Sequence, residues 1–176
     1  MVKPMKGGMQ GLENHSSMKV QTMKEQFWCA LADWWATNRR EYPWRRDGIT
    51  PYGILLAEML LKRTTATAAC RVYLRLLEQY PDPWAICAAD EATLQSDLSS
   101  LGLQYQRTRA LKAIGRYLCG KTMGNVPSSM EALEAIPHLG PYSCRAILSF
   151  GFNVPAAVVD SNVVRIVDRV FNREKT

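Results

Sequence analysis

The sequence predicts an all-α fold, and three observations carry that prediction. Apolar residues recur at helical spacing, no alternating strand pattern runs for more than a few residues, and prolines and glycines fall between the periodic stretches. A first helix is predicted from about Lys24 to Asn38, with Phe27, Leu31, Trp34 and Trp35 as its apolar face. A basic, aromatic stretch broken by proline follows, Arg39-Arg40-Glu41-Tyr42-Pro43-Trp44-Arg45-Arg46, in which Trp44 reads as core. A second helix starts after Pro51 and carries Ile54, Leu55, Leu56, Met59, Leu60 and Leu61. A third covers Ala66–Gln79 and stops at Tyr80-Pro81-Asp82-Pro83, since proline cannot continue a helix. Short helices are predicted at 83–88, 90–100 and 104–119, with Gly102 and Gly120 marking two of the breaks. Ser128 or Ser129 caps a helix reaching Ile136. Another follows Gly140, and a last one starts near Ser161. Residues 1–22, rich in Gly, Ser and Met, read as a disordered tail. There is no internal repeat.

Composition narrows the function. A chain of 176 residues with 47% hydrophobic content can bury one sizeable core or two small lobes. A net charge of +6 favours a polyanionic partner, nucleic acid first and anionic membrane second. No stretch approaches the roughly 18 consecutive apolar residues of a membrane span. The N-terminus lacks the apolar run of a secretory signal, so a cytoplasmic location is expected. Cys29, Cys70, Cys87, Cys119 and Cys144 are scattered, with no C-x-x-C pair, and His15 and His138 lie far apart. No metal site is therefore expected within this sequence.

One turn carries a specific signal. Ile136-Pro137-His138-Leu139-Gly140-Pro141-Tyr142-Ser143 separates two predicted helices. Gly140 can take a positive φ, and Pro141 suits the first position of the next helix. The unpaired amides at such a helix start can hold a DNA phosphate. An ordinary helix–helix turn is the alternative.

This segment resembles the hairpin of the endonuclease III/MutY superfamily of helix-hairpin-helix DNA glycosylases. Val159-Asp160-Ser161-Asn162-Val163-Val164-Arg165 resembles that superfamily's V-D-x-N-V-x-R stretch, and Asp160 lies 18 positions after Tyr142, as in the family. Upstream, Tyr42-Pro43-Trp44-Arg45 and the run from Pro51-Tyr52 through Glu58 to Leu61-Lys62-Arg63-Thr64 also match its pattern. Leu101-Gly102-Leu103 with Arg107 and Arg109 does so too. Lys62-Arg63-Thr64-Thr65-Ala66 and Gly140-Pro141-Tyr142-Ser143-Cys144 look most like the thymine/uracil mismatch glycosylases related to MutY. MutY adenine glycosylases usually carry Gln-Gln-Thr and Ser at those places.

The resemblance implies a six-helix barrel lobe over about 48–155, with a helix-hairpin-helix at about 129–150. It further implies a second helical lobe built from 23–47 and the segment starting at 156. It implies a monomer acting on double-stranded DNA with a mismatched or damaged base, in a bacterial or archaeal nucleoid. Such an enzyme flips the base out and hydrolyses its N-glycosidic bond. Positive charge then builds on the sugar, and Asp160 is the carboxylate expected to stabilise it. A plain helix cap is the other reading of Asp160. Asn162 is expected to hold the water or the Asp160 carboxylate, or simply to satisfy helix-start amides.

Glu58 lies in an apolar run, where a carboxyl can stay protonated and hydrogen-bond the base. The other reading is a surface ion pair with Lys62, four residues on. Tyr142 stands where bifunctional relatives carry a Schiff-base lysine, so a monofunctional enzyme without lyase activity is expected. Tyr142 is expected to stack on the base, or else to pack on the core. Lys62 and Arg63 are expected to fill the gap in the duplex or read the opposite strand, with a solvated helix end as the alternative. Arg45, Arg107 and Arg165 are expected on phosphates, and Leu139, Gly140 and Ser143 belong to the DNA-gripping hairpin.

Two departures stand out. His138 replaces the family's first hairpin glycine, and histidine at positive φ carries a cost. The sequence ends 16 residues after Asp160, so the second lobe is expected to be cut short. Val163, Val164, Ile166, Val167, Val170 and Phe171 are then expected to form a poorly covered face. No cofactor is expected within this chain; a 4Fe-4S cluster is expected only if a further C-terminal segment supplies its cysteines. Thymine or uracil removal is the leading reading. Adenine removal and a non-catalytic DNA-binding fragment are the alternatives.

Overall fold

The computed structural model describes the backbone of residues 10–171 and the side chains of residues 22–171. The helices are α1 (Gln10–Asn38), α2 (Pro51–Leu61), α3 (Ala66–Gln79), α4 (Pro83–Ala88), α5 (Glu91–Leu98), α6 (Gln104–Thr122), α7 (Met130–Glu134), α8 (Pro141–Ala146) and α9 (Ser161–Phe171). Short 3-10 turns occupy Pro43–Arg45 and Ser99–Leu101, and α8 runs into a π-helical turn at Ile147–Gly151. There is no strand among the described residues, as the all-α prediction requires. The chain divides into two compact units, Met1–Glu41 and Tyr42–Thr176.

The first unit is α1. It begins at Gln10, well before the expected Lys24, because no proline interrupts the backbone between Pro4 and Pro43. Residues 10–22 of the expected tail are therefore helical, and residues 1–9 lie outside the described part. Of the predicted apolar face, Leu31, Trp34 and Trp35 are exposed and Phe27 is half-buried. Asn38 closes the helix by donating from Nδ2 to the Trp34 carbonyl at 2.9 Å.

The second unit holds the core, and α2 supplies its centre. Leu55, Leu56 and Leu60 are fully buried there, packed against α3, α6, α8 and the π-helical turn. Thr50 starts α2 by accepting from the Gly53 amide at 3.1 Å, and Pro51 sits in the first turn, where its missing N–H costs nothing. Gly53 is required by space, since a Cβ there would stand 2.9 Å from the Tyr73 hydroxyl. That hydroxyl donates to the Gly53 carbonyl at 3.2 Å, locking α3 against α2. Trp44 is 9% exposed and meets Tyr73 edge-on, so the turn at Pro43–Arg45 belongs with this core.

Capping sets the remaining starts. Thr65, Asp82, Asp90 and Ser129 each accept the amide three residues on, opening α3, α4, α5 and α7. The predicted break at Gly120 does not occur. Helix α6 continues to Thr122 and stops where Met123 and Gly124 turn left-handed, with the Gly124 amide donating back to the Leu118 carbonyl at 2.9 Å. Glycine inside a helix costs only about 1 kcal/mol, which the packing of α6 on α4 and α5 offsets.

Burial of this kind makes a contrast measurable. Leu56→Ala is expected to cost about 3 kcal/mol in urea unfolding. The exposed Leu74→Ala is expected to stay within about 0.5 kcal/mol of the parent.

Candidate active site

Helix α2 presents Glu58 one turn before its end. Burial lifts this carboxyl from the ordinary 4.5 to about 7, while a hydrogen bond with the Ser143 side chain and the charge of Lys62 pull the other way. Burial wins because a carboxylate loses more in leaving water than one hydroxyl returns. Glu58 can thus hold its proton near neutrality and act as a donor. Lys62 feels the Glu58 charge but does not close onto it as a surface pair. Its ammonium donates to the His138 carbonyl at 2.6 Å.

Asp160 is treated in the opposite way. Its Oδ1 accepts the amides of Asn162 at 2.9 Å and Val163 at 2.8 Å, and its Oδ2 accepts from Asn162 Nδ2 at 3.0 Å. These donors hold the carboxyl below its usual range, with the Val163 amide the largest cause. The cap reading is therefore observed, and Asn162 holds the carboxylate. Arg165 in turn donates to Asn162 Oδ1 at 2.9 Å. Each carboxylate oxygen has two lone pairs, so Oδ2 keeps acceptor capacity beyond its one bond.

Tyr142 feels the charge of both carboxyl groups. It lies in the first turn of α8 and is 42% exposed. Its phenol is pushed up by burial first, then by the charges of Glu58 and Asp160. One side chain thus senses both carboxyl groups, although they lie 102 residues apart in sequence (160 − 58). Its exposure does not fit the alternative of a ring packed into the core.

The hairpin differs from expectation in one respect. His138 adopts the left-handed conformation, φ +65°, as its position in the motif implies. Gly140 does not: at φ −94° it is extended and starts α8. A Cβ at Gly140 would meet no atom within 4 Å, so internal packing does not require glycine there.

Three residues expected on DNA have internal partners instead. The Leu139 amide donates to the Ile136 carbonyl at 3.3 Å, and its side chain packs on the core. Ser143 is buried against Glu58. Arg107, expected on a phosphate, is 6% exposed and donates from Nε to Gly102 O, from Nη1 to Met59 O and Leu60 O, and from Nη2 to Lys62 O and Thr64 Oγ1. A guanidinium has five N–H donors, and these five bonds occupy them. Arg107 shares a face with Ala110, Leu111 and Ile114, all buried. That periodicity was the available signal, since a buried arginine must find acceptors.

The remaining basic candidates are exposed. Arg63 follows the end of α2 at φ +52°, flanked by Lys62 and Thr64, the two residues that Arg107 holds. Arg45 lies over the Tyr42 ring, 5.3 Å from its centroid. Arg165 lies on α9, where Val163, Val164, Ile166 and Val170 are also exposed while Val167 and Phe171 are half-buried. Among the described residues, no group of three or more His, Cys, Asp or Glu is placed to hold a metal. No described helix is long and apolar enough to cross a membrane.

An all-helical core, a hairpin between two short helices and a carboxylate at the next helix start together define a helix-hairpin-helix repair fold. The chain belongs to the HhH-GPD superfamily of base excision DNA repair proteins, whose pattern matches residues 56–176. It is 34% identical over 150 residues to a thymine/uracil-DNA glycosylase of Methanothermobacter thermautotrophicus, covering 84% of this chain and 66% of that protein. It is 30% identical to an adenine DNA glycosylase of Mycobacterium tuberculosis, covering 79% of this chain and 45% of that one. The fold superposes on a thermostable thymine-DNA glycosylase with a TM-score of 0.81 and 32% identity, covering 85% of this chain and 68% of that structure. The chain thus spans less than two thirds of the length of the two curated relatives.

Two measurements follow from the site. Glu58 binds a proton in the fold that the unfolded chain, with its pKa near 4.5, has released. Stability therefore falls as pH rises from about 4.5 to about 7 and levels off above. Thermal unfolding across that window is expected to show this slope, and Glu58→Gln to flatten it. Arg107→Met strands several carbonyls at the end of α2 and is expected to cost about 3 kcal/mol or more in urea unfolding.

Proposed function

We propose that this chain is a monofunctional DNA glycosylase that hydrolyses the N-glycosidic bond of a mismatched thymine or uracil flipped out of duplex DNA. The observation that carries the reading is the opposed treatment of two carboxyl groups around one phenol. Environments that push two pKa values apart assign the roles. Asp160 stays ionised and faces the positive charge that builds on the sugar as the C1′–N bond lengthens. It also orients the water whose oxygen adds to C1′, and takes the proton that water gives up. Glu58, protonated near neutrality, donates to a carbonyl oxygen of the departing pyrimidine and eases the charge the base carries away. Tyr142 offers its ring face to the flipped base, as aromatic side chains do for unstacked nucleotides.

Tyr142 also supports the monofunctional reading. A Schiff base needs an amine, and the hairpin offers a phenol at that place. The bond is then cut by water, leaving an abasic site and an intact strand. Arg63, Arg45 and Arg165 are exposed and basic, and a phosphate or a base edge is the partner their chemistry suits. Adenine removal is the second reading, favoured by the adenine glycosylase relative of Mycobacterium tuberculosis.

Duplexes carrying G:T, G:U or A:G, incubated with the protein and then treated with alkali, separate these readings. Alkali-dependent cleavage at T and U is expected. Cleavage at A alone transfers the chain to the second reading, binding without base loss on all three removes the catalytic one, and strand breaks before alkali contradict a monofunctional enzyme. Asp160→Asn is expected to lower single-turnover base release by about a hundredfold or more while duplex binding persists.

A further inference from the structure

The sequence offers Lys62 as a probe of the DNA, yet the structure gives its ammonium another task. The Nζ of Lys62 donates to the main-chain carbonyl of His138, 76 residues away in sequence, at 2.6 Å. Both ends of this bond are prepared for it. At the α2 end, the Lys62 carbonyl accepts from Arg107 Nη2 at 2.7 Å, so the backbone that carries the lysine is itself held. At the hairpin end, His138 lies between α7 and α8, where the turn gives its carbonyl no helical partner. A carbonyl left over by a left-handed residue is the acceptor a short charge-assisted bond suits.

The consequence lies one turn away on each side. Glu58 on α2 precedes Lys62, the residue just past the helix end, by four residues, and Tyr142 follows His138 by four. Ser143, buried on α8, hydrogen-bonds Glu58. Two side-chain links therefore bracket Tyr142, one from Lys62 to His138 before it and one from Ser143 to Glu58 just after it.

We propose that Lys62 is a positioning residue that ties the hairpin to the end of α2 and so sets where Tyr142 stands relative to Glu58. This rests on the reading of Tyr142 and Glu58 as pocket residues. It assigns Lys62, exposed but bonded to the hairpin, to the preorganisation of the pocket, and leaves its exposed neighbour Arg63 as the cation for DNA. A displacement of about 1 Å in a reacting geometry costs on the order of a hundredfold in rate, so such a tether matters without touching substrate.

The test compares the whole chain with K62M and K62R, Lys62→Arg keeping a donor and Lys62→Met removing it. Hydrogen exchange of the hairpin amides, measured without DNA, is expected to quicken about tenfold in K62M and to return toward the parent in K62R. Affinity for a fully paired duplex is measured across a salt series. A lost phosphate contact lowers the salt slope by about one, whereas a lost tether leaves it unchanged, as expected here. Single-turnover base release from a G:U duplex is expected to fall about tenfold to a hundredfold in K62M with duplex affinity kept. Unchanged hairpin exchange in K62M, or a salt slope reduced by about one, overturns the proposal. If the parent chain releases no base from any duplex, the glycosylase reading fails, while exchange and salt dependence still decide the role of Lys62.

Discussion

Every α-helix ends on carbonyls that nothing within the helix can bond. At the end of α2 those carbonyls meet the guanidinium of Arg107, which crosses from α6 and takes Met59 O, Leu60 O and Lys62 O together, with Gly102 O and Thr64 Oγ1 completing the set. Helix α2 is the middle of the core; Glu58 leaves it in its last turn and Lys62 follows directly on its end. Where α2 stops therefore decides where the candidate site begins. The arrangement is electrostatically economical: a buried cation faces the negative end of a helix dipole and needs no carboxylate partner.

From that fixed end the site is built by contrast. Glu58 lies among apolar side chains and is pushed toward neutrality; Asp160 lies at a helix start, where amides hold it charged. Neither effect uses an ion pair. Burial supplies one and backbone donors supply the other, so both belong to the fold itself. The Tyr142 phenol is raised by burial first and then by the charges of both carboxyl groups. Such a pair of opposed acids around one aromatic suits the breaking of a bond that leaves charge of opposite sign on sugar and base.

Much of this was legible before any coordinates. The all-α class, the cores of α2 and α3, the cap at Ser129, and the start of α9 after Asp160 all rest on residues within three or four positions of one another. Local spacing is the information a sequence carries most directly. The errors have physical causes as well. Gly120 was read as a break but lies within α6, since tertiary packing outweighs a weak propensity. Gly140 was assigned the positive φ that His138 takes, because either residue of the turn can supply it. The apolar faces of α1 and α9 were correctly seen as apolar, yet periodicity does not say what covers a face.

What the sequence by itself determined is the run of helices along the chain, and the presence of a carboxylate at one helix start and another in an apolar run. The tertiary structure alone decided which cation does what. Arg107 and Lys62 read alike as basic residues near a DNA-binding motif, and both donate to main-chain carbonyls, 45 and 76 residues away along the chain, Arg107 from a buried position and Lys62 from an exposed one. A main-chain carbonyl is the same in every residue, so its side-chain partner leaves no mark in the sequence. Only the folded chain, by bringing a helix end, a hairpin and a buried face together, determines which acceptors lack a donor.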